Sequence, residues 1–573
     1  MNMKKYIVGV FIITLLFATF ATLPRVDHTE ANVLFYFQNL TPLYYICVLA
    51  AIAIAIYWRR SHLGLLSAIV LGLLILLTPS IMLVQPWFPD TYAFVSEAVY
   101  VMRNGHLGDF HYLSINPPLG LFFGPFLMIT GISPFALIKI YPAFITVILA
   151  VLLYLIAKKM KIGKESLVVA PLLFLSIEWP NELHICRQSF SLIFYLTSWF
   201  LLLGLVFQKP NRKIFILFVT QVFLLAMSHP ATPLFFIINL ASILVISQIV
   251  SKLRLKEFAH VRFFPQALLI SVFSWIVWNS FKGTGAINTF VDFSTNLIES
   301  LLSAPAEVAG TEKILVGYTQ NYRSIIDIRL GLTLAVFLSA VLFAVIALRC
   351  VQHRRASVIL VGWIGSCIFT SVPWLYAGLP YFSRPVTFTF IAAGPLWALV
   401  YNILSTKGKS RIHTKMKSLA AGMFLVAFVI VPSLLVPITK YSPLPFLYTT
   451  GRELTSKSFL DLHWSGDTEV IYFDYKYITH PFSWLLYGSN TSIRSVEIYS
   501  IYSPNEGLDP NIVNRSALWV TYKPVTRDAF WNYDPSYLQV VENVTQLLPR
   551  TTHNKVYDSG WPECILLPRN GSP

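Results

Sequence analysis

Hydrophobic positions run through this chain in unbroken stretches of roughly 20 residues, each long enough to cross a bilayer as a helix. The stretches lie near 6–23, 41–58, 63–84, 134–157, 167–183, 188–208, 213–228, 232–250, 265–281, 328–349, 357–377, 385–404 and 418–438. This pattern predicts a polytopic α-helical membrane protein with about thirteen transmembrane helices. Residues 119–133 are apolar too, but the run is short and follows Pro117-Pro118, so it reads as a re-entrant or interfacial piece on the outer surface. Just before it, Tyr92, Val95, Val99 and Met102 repeat at helical spacing, with Glu97 and Arg103 off that face, which predicts an amphipathic helix lying on the membrane. After Lys440 the pattern changes, and no spanning run occurs in 441–573. EVIYFDYKYI, RSVEIYSIY, SALWVTY and NKVYDSGWPECILLP are strand-like runs, preceded by a helical GRELTSKSFLDL, so a small α/β or β-rich domain is expected. The chain therefore divides into two N-terminal helices (1–62), a membrane core (63–440) and a C-terminal domain (441–573). Within the core, 86–133 forms the first large outer loop, and the polar, glycine-containing loop 282–327 has the length of a lid.

Charge turns this pattern into a topology. With the amino terminus inside, the inner loops hold 23 Lys and Arg against Glu165 and Glu257 alone, whereas the outer loops carry more Asp and Glu than Lys and Arg. That asymmetry follows the positive-inside rule, and counting 119–133 as a crossing would reverse every later loop and destroy it. The reading is a multi-pass protein of the cell membrane with a cytoplasmic amino terminus and an extracytoplasmic C-terminal domain. At 55% hydrophobic and 12% charged residues, with mean hydropathy +0.63, the composition excludes a soluble enzyme. The formal charge of +16 is spread over the inner loops and does not point to nucleic acid. MNMKK followed by an apolar run without a small-residue cleavage site reads as a retained signal anchor. Five cysteines show no metal spacing. Sequons at Asn39, Asn490, Asn514, Asn543 and Asn570 all fall on the outer side of this topology.

Candidate chemistry gathers in the outer loops. Asp90 stands at the start of the amphipathic segment, and the residues alone leave two readings open: a carboxylate that caps the helix beginning at Thr91, or a reactive group at the membrane surface. Glu97 and Asp109 follow in the same loop. Glu178, Glu182, His184 and Arg187 crowd into the short loop EWPNELHICRQ, where they are either solvated and paired or part of a site. His229, in SHPATP, reads equally as a capping or a site residue. Lys139 lies a few residues inside a span and can snorkel outward, and Arg384 sits at an outer mouth beside Tyr381 and Phe382. No P-loop, dinucleotide fingerprint, HExxH or nucleophile elbow occurs.

FPDTYAFVSEAVYVMRNGHLGD, NPPLGLFFGPFLMITG and ALIKIYPAF, taken together, resemble the GT-C superfamily of polyprenyl-phosphate-dependent glycosyltransferases, with protein O-mannosyltransferases and aminoarabinose transferases similar there. The resemblance covers roughly residues 63–250 and implies a GT-C-like fold with Asp90 as the catalytic base. The chemistry of a departing lipid phosphate points to Arg384, Lys139 and Arg187 as its cations, and Glu97, Asp109, Glu178, Glu182, His184 and His229, placed on the outer side, are candidate acidic or polar partners of Asp90. EWPNELH departs from the Asp-x-Asp pattern of oligosaccharyltransferase subunits, and their WWDYG motif is missing, so a divalent metal stays open and transfer of a whole oligosaccharide is disfavoured. The implied reaction moves a sugar, with inversion, from a polyprenyl (dolichyl) phosphate to a glycan, lipid or protein acceptor outside the membrane. The competing class is a transporter or flippase that moves a lipid-linked sugar without chemistry. A span interior almost free of ionisable residues counts against ion coupling.

Overall fold

The computed structural model describes residues 3–26, 35–83, 90–107, 116–176, 183–208, 211–252, 263–282, 295, 320–349, 354–376, 383–405 and 419–439, together with five short segments further on. Among them, nine helices are long and apolar enough to cross a membrane: Met3–Thr22, His62–Met82, Pro134–Lys159, Arg187–Phe207, Thr232–Lys252, Phe263–Ser280, Asp327–Arg349, Pro385–Leu404 and Leu419–Pro437. The chain is a polytopic helical membrane protein. The thirteen expected spans each coincide with a helix, but four fall short of a full apolar crossing. Pro42–Tyr57 has 16 residues and Arg212–Ser228 has 17, Val169–Ser176 has only eight, and the apolar part of Arg354–Tyr376 is confined to Arg355–Ser371.

Local chemistry sets several helix ends. The Ser133 hydroxyl accepts from the Ala136 amide at 3.2 Å and opens the helix that carries Lys139. Cys186 and Ser189 cap each other reciprocally at the start of Arg187–Phe207. Gly131, at φ 65, ends Pro118–Thr130 in the left-handed conformation that glycine adopts without strain. A π-helical turn at Val426–Ile430 ends two residues before Pro432, which lacks an amide hydrogen and so cannot continue the regular ladder.

Burial ranks the spans. Pro385–Leu404 has 89% of its apolar window inside the protein, whereas Met3–Thr22 has 17% and lies on the rim. In the centre, the Tyr195 hydroxyl accepts from Asn239 Nδ2 at 2.6 Å and from Trp363 Nε1 at 2.7 Å, and Asn239 Oδ1 accepts from Ser366 Oγ at 2.7 Å. This hub ties together Arg187–Phe207, Thr232–Lys252 and Arg354–Tyr376 where the bilayer offers no water to satisfy polar groups.

Contacts at the helix ends sort the bundle into two faces. At one, Arg59 and Arg60 pair with Glu165, Arg59 lies 6.0 Å from the Tyr401 ring, Lys5 lies over Trp58, and Lys159 donates to Gln208. At the other, the Thr22 and Thr41 hydroxyls meet, the Val26 amide donates to Met82 O at 2.7 Å, and Lys139 Nζ donates to Leu83 O at 3.1 Å. Leu83 and Lys139 thus share a face, so the chain leaves the bundle after His62–Met82 and returns at Pro134 on the same side. The 13-residue Pro118–Thr130 helix between them, about 20 Å long, does not carry the chain across.

Five short strands are described after residue 440: β1 (Val470–Phe473), β2 (Val496–Ile498), β3 (Ala517–Val520), β4 (His553–Asp558) and β5 (Cys564–Pro568). They form one mixed sheet of order β2-β1-β3-β5-β4, in which β1 runs parallel to β2 and β3 while β5 runs antiparallel to β3 and β4. The register sets Val470 opposite both Val496 and Ala517. The expected helix GRELTSKSFLDL lies outside the described residues. Most of the expected lid, 282–327, lies outside the described residues; from Gln320 the chain is helical and continues into the span that ends at Arg349.

Candidate functional site

Asp90 is the first residue of the Asp90–Asn104 helix, whose position on the bundle decides what surrounds it. Tyr92, Val95 and Val99 are buried, as their spacing predicts, and the Tyr92 ring meets Phe135 edge-on at 6.2 Å. A second face is buried as well, which the amphipathic pattern does not suggest. Ala98 and Val101 pack on Pro118–Thr130 so closely that a Cβ at Gly124 would stand 2.8 Å from Val101 Cβ and 3.1 Å from Ala98 O. Phe123 of that neighbouring helix in turn packs edge-on against Tyr141 at 5.7 Å and lies 5.5 Å from Phe190.

Glu97, which its spacing sets off the apolar stripe, is nonetheless only 4% exposed. One carboxylate oxygen accepts from Nη2 of Arg187, itself 8% exposed and first residue of Arg187–Phe207. The guanidinium also lies over the Phe94 ring at 5.4 Å. Burial raises the Glu97 pKa to about 7, although the Arg187 charge and hydrogen bond pull the other way. Its second oxygen, Oε2, has no hydrogen-bond partner among the described residues, and neither does Oε1 of the neighbouring Gln188. Sequence reasoning names both Glu97 and Arg187 and assigns the arginine to a phosphate; in the structure the two are in contact.

The other expected residues fall into three groups. Lys139 is half-buried in the second turn of its helix, and its ammonium is aimed at the Leu83 carbonyl, seven residues before Asp90. His184 is buried, and its carbonyl accepts from Ser189 Oγ at 2.6 Å; that leaves the Tyr141 hydroxyl, 2.8 Å from the same oxygen, to act as the donor. This chain fixes the turn that leads into Arg187. His229 is also buried and uses Nδ1 to accept from the Thr232 amide at 3.2 Å, with the Thr232 hydroxyl at 2.9 Å, in the manner of a helix cap. Arg384 is the second residue of the Ser383–Ser405 helix, and its side chain, like that of Asp90, lies outside the described atoms. Asp109, Glu178 and Glu182 lie outside the described residues altogether.

The structure therefore brings the Asp90 helix, Lys139 and the Glu97–Arg187 pair to one face of the bundle. Among the described residues, no group of three His, Cys, Asp or Glu side chains gathers as a metal site would require. Comparison of the chain with models of known families gives no match, and neither does comparison with curated proteins.

Proposed function

We propose that this protein is a membrane glycosyltransferase of the GT-C type, moving a sugar from a polyprenyl-phosphate donor to an acceptor outside the membrane with inversion at the anomeric carbon. The observation that carries the reading is the docking of the Asp90–Asn104 helix at the bundle face where Lys139 also emerges. In this reading Asp90 removes the proton from an acceptor hydroxyl or amine as it attacks. Lys139 and Arg384 neutralise the charge that develops on the departing lipid phosphate. The phosphate is a good leaving group, so no strong general acid is needed on that side. The basic face that carries Arg59, Arg60 and Lys159 is cytoplasmic in this scheme, and the Asp90 face and the sheet β1–β5 are extracytoplasmic. About thirteen crossings are then completed by the shorter helices, with the sheet as part of a small outer domain.

The test is a transfer assay with purified protein, a panel of polyprenyl-phosphate sugars and an acceptor mixture of glycans, lipids and peptides. Release of polyprenyl phosphate coupled to sugar incorporation supports the reading. Movement of intact lipid-linked sugar across proteoliposomes with no release would replace it with the transporter.

A further inference from the structure

Glu97 and Arg187 are 90 positions apart, and each is the other's charged partner in a site nearly closed to solvent. Burying both groups costs desolvation on both sides, and the hydrogen bond from Arg187 offsets part of that cost at Glu97. Such a pair specifies one arrangement over its neighbours. Sliding the Asp90–Asn104 helix by a turn, or lifting it off, would break the hydrogen bond that Arg187 donates to Glu97. We propose that Glu97 and Arg187 are positioning residues: the buried hydrogen bond from Arg187 to Glu97 seats the Asp90-bearing helix on the bundle, and Arg187 acts through Glu97 and not on the donor phosphate. The seating stands on the geometry alone; its consequence for Asp90 rests on the transferase reading above.

Among the described residues around the pair, the other titratable groups are held elsewhere or face solvent. The Pro118–Thr130 helix, packed along the same segment, has no titratable side chain. On Pro134–Lys159, Lys139 donates to Leu83 O and Tyr141 to Ser189. On the Arg187 helix, Tyr195 belongs to the Asn239 hub, and in the preceding turn His184 is held through its carbonyl while Cys186 caps the helix. On the helix itself, Arg103 points to solvent, and Tyr100 lies against the His106 ring. Among the described groups, Arg187 supplies the charge that acts on Glu97.

The sign of the pH effect follows. Seated, Glu97 holds a proton up to about pH 7. Released to water, it would lose that proton in the ordinary carboxylate range. The seated state therefore binds the proton more tightly, so seating is strongest in acid and weakens as pH rises through about 7.

Hydrogen–deuterium exchange of the 91–101 amides in the full chain, held in lipid nanodiscs and corrected for chemical exchange, reads the seating directly. From about pH 5.5 to about pH 8.5, opening of this helix in the wild-type protein should increase by roughly ten- to thirtyfold. Glu97→Gln should abolish that dependence, because the amide still accepts from Arg187 but does not titrate. Arg187→Met should open the helix further at alkaline pH, where Glu97 has lost its counter-charge. The double variant Glu97→Leu with Arg187→Leu, which replaces the pair by apolar contact, should restore protection at every pH. It should also recover the transfer rate that Arg187→Met loses, at an unchanged KM for the lipid donor.

Identical pH dependence in wild type and Glu97→Gln would overturn the seating role. A double variant whose helix is protected but whose donor KM is raised would also overturn the proposal and return Arg187 to the phosphate. If the exchange results hold while wild-type protein transfers no sugar from any donor, the seating is supported and the transferase reading alone is lost.

Discussion

Gly124 offers a direct way to displace the Asp90 helix without touching a charged or reactive group. A Cβ there would sit 2.8 Å from both Cβ and Cγ1 of Val101 and 3.1 Å from the Ala98 carbonyl oxygen. Carbon atoms in contact prefer about 3.5–4.0 Å, so Gly124→Ala must push the two helices apart by roughly 1 Å at this point. The atoms it meets belong to a β-branched side chain and to backbone, neither of which can swing away. Overpacking of this kind costs about 1–3 kcal/mol. If that energy acts on the seating of the helix, opening should rise by roughly five- to a hundredfold. A misplacement of about 1 Å at a reacting group can itself lower a rate by roughly a hundredfold. Gly124→Ala should therefore express normally yet show faster exchange across 91–101 and a transfer rate reduced by one to two orders of magnitude. Adding Val101→Ala removes the Cγ1 contact and should restore part of both. Gly365→Ala, where nothing stands within 4 Å of the added atom, is the control and should be neutral or slightly stabilising. Wild-type exchange and rate in Gly124→Ala would refute the close helix–helix seat.

Two further outcomes test the bundle. Asn239→Leu removes one donor from the Tyr195 hydroxyl and the acceptor of Ser366. It should lower stability in detergent unfolding by about 1–2 kcal/mol, the upper part of the range for intramembrane hydrogen bonds. A cysteine in place of exposed Lys161, at the Glu165 face, should react with impermeant maleimide only from the cytoplasmic side. Labelling from outside would invert the proposed orientation and carry Asp90 to the cytoplasm.

Much of this architecture is legible in the chain because it depends on local composition. Apolar runs of membrane length fold as helices wherever they occur. The change of pattern at Pro117-Pro118 coincides with a helix starting at Pro118, and the segment headed by Asp90 is helical from its first residue. The seat of that helix is another matter. Glu97 stands off the Tyr92, Val95 and Val99 stripe, which already accounts for one buried side. The second buried side is invisible until Gly124 and Arg187 arrive from distant parts of the chain. The one local signal for it is the small-residue pairing of Ala98 with a glycine in the next apolar helix. Arg187 has the chemistry of a phosphate ligand, and nothing nearby in sequence announces a carboxylate 90 positions upstream. Lys139 is a related case: its hydrogen-bond partner is a backbone carbonyl, which no side-chain pattern encodes.

The central claim is that Asp90 is a general base, and Asp90→Asn tests it most directly. Asparagine keeps the shape of the side chain and caps a helix about as well as aspartate, so the helix beginning at this position should persist. What it removes is the proton acceptor. With a polyprenyl-phosphate donor, the variant should express, bind donor and show wild-type exchange across 91–101, while its transfer rate falls by roughly a hundredfold or more. An Asp90→Asn protein that transfers sugar at the wild-type rate would contradict the account and leave Asp90 as a cap.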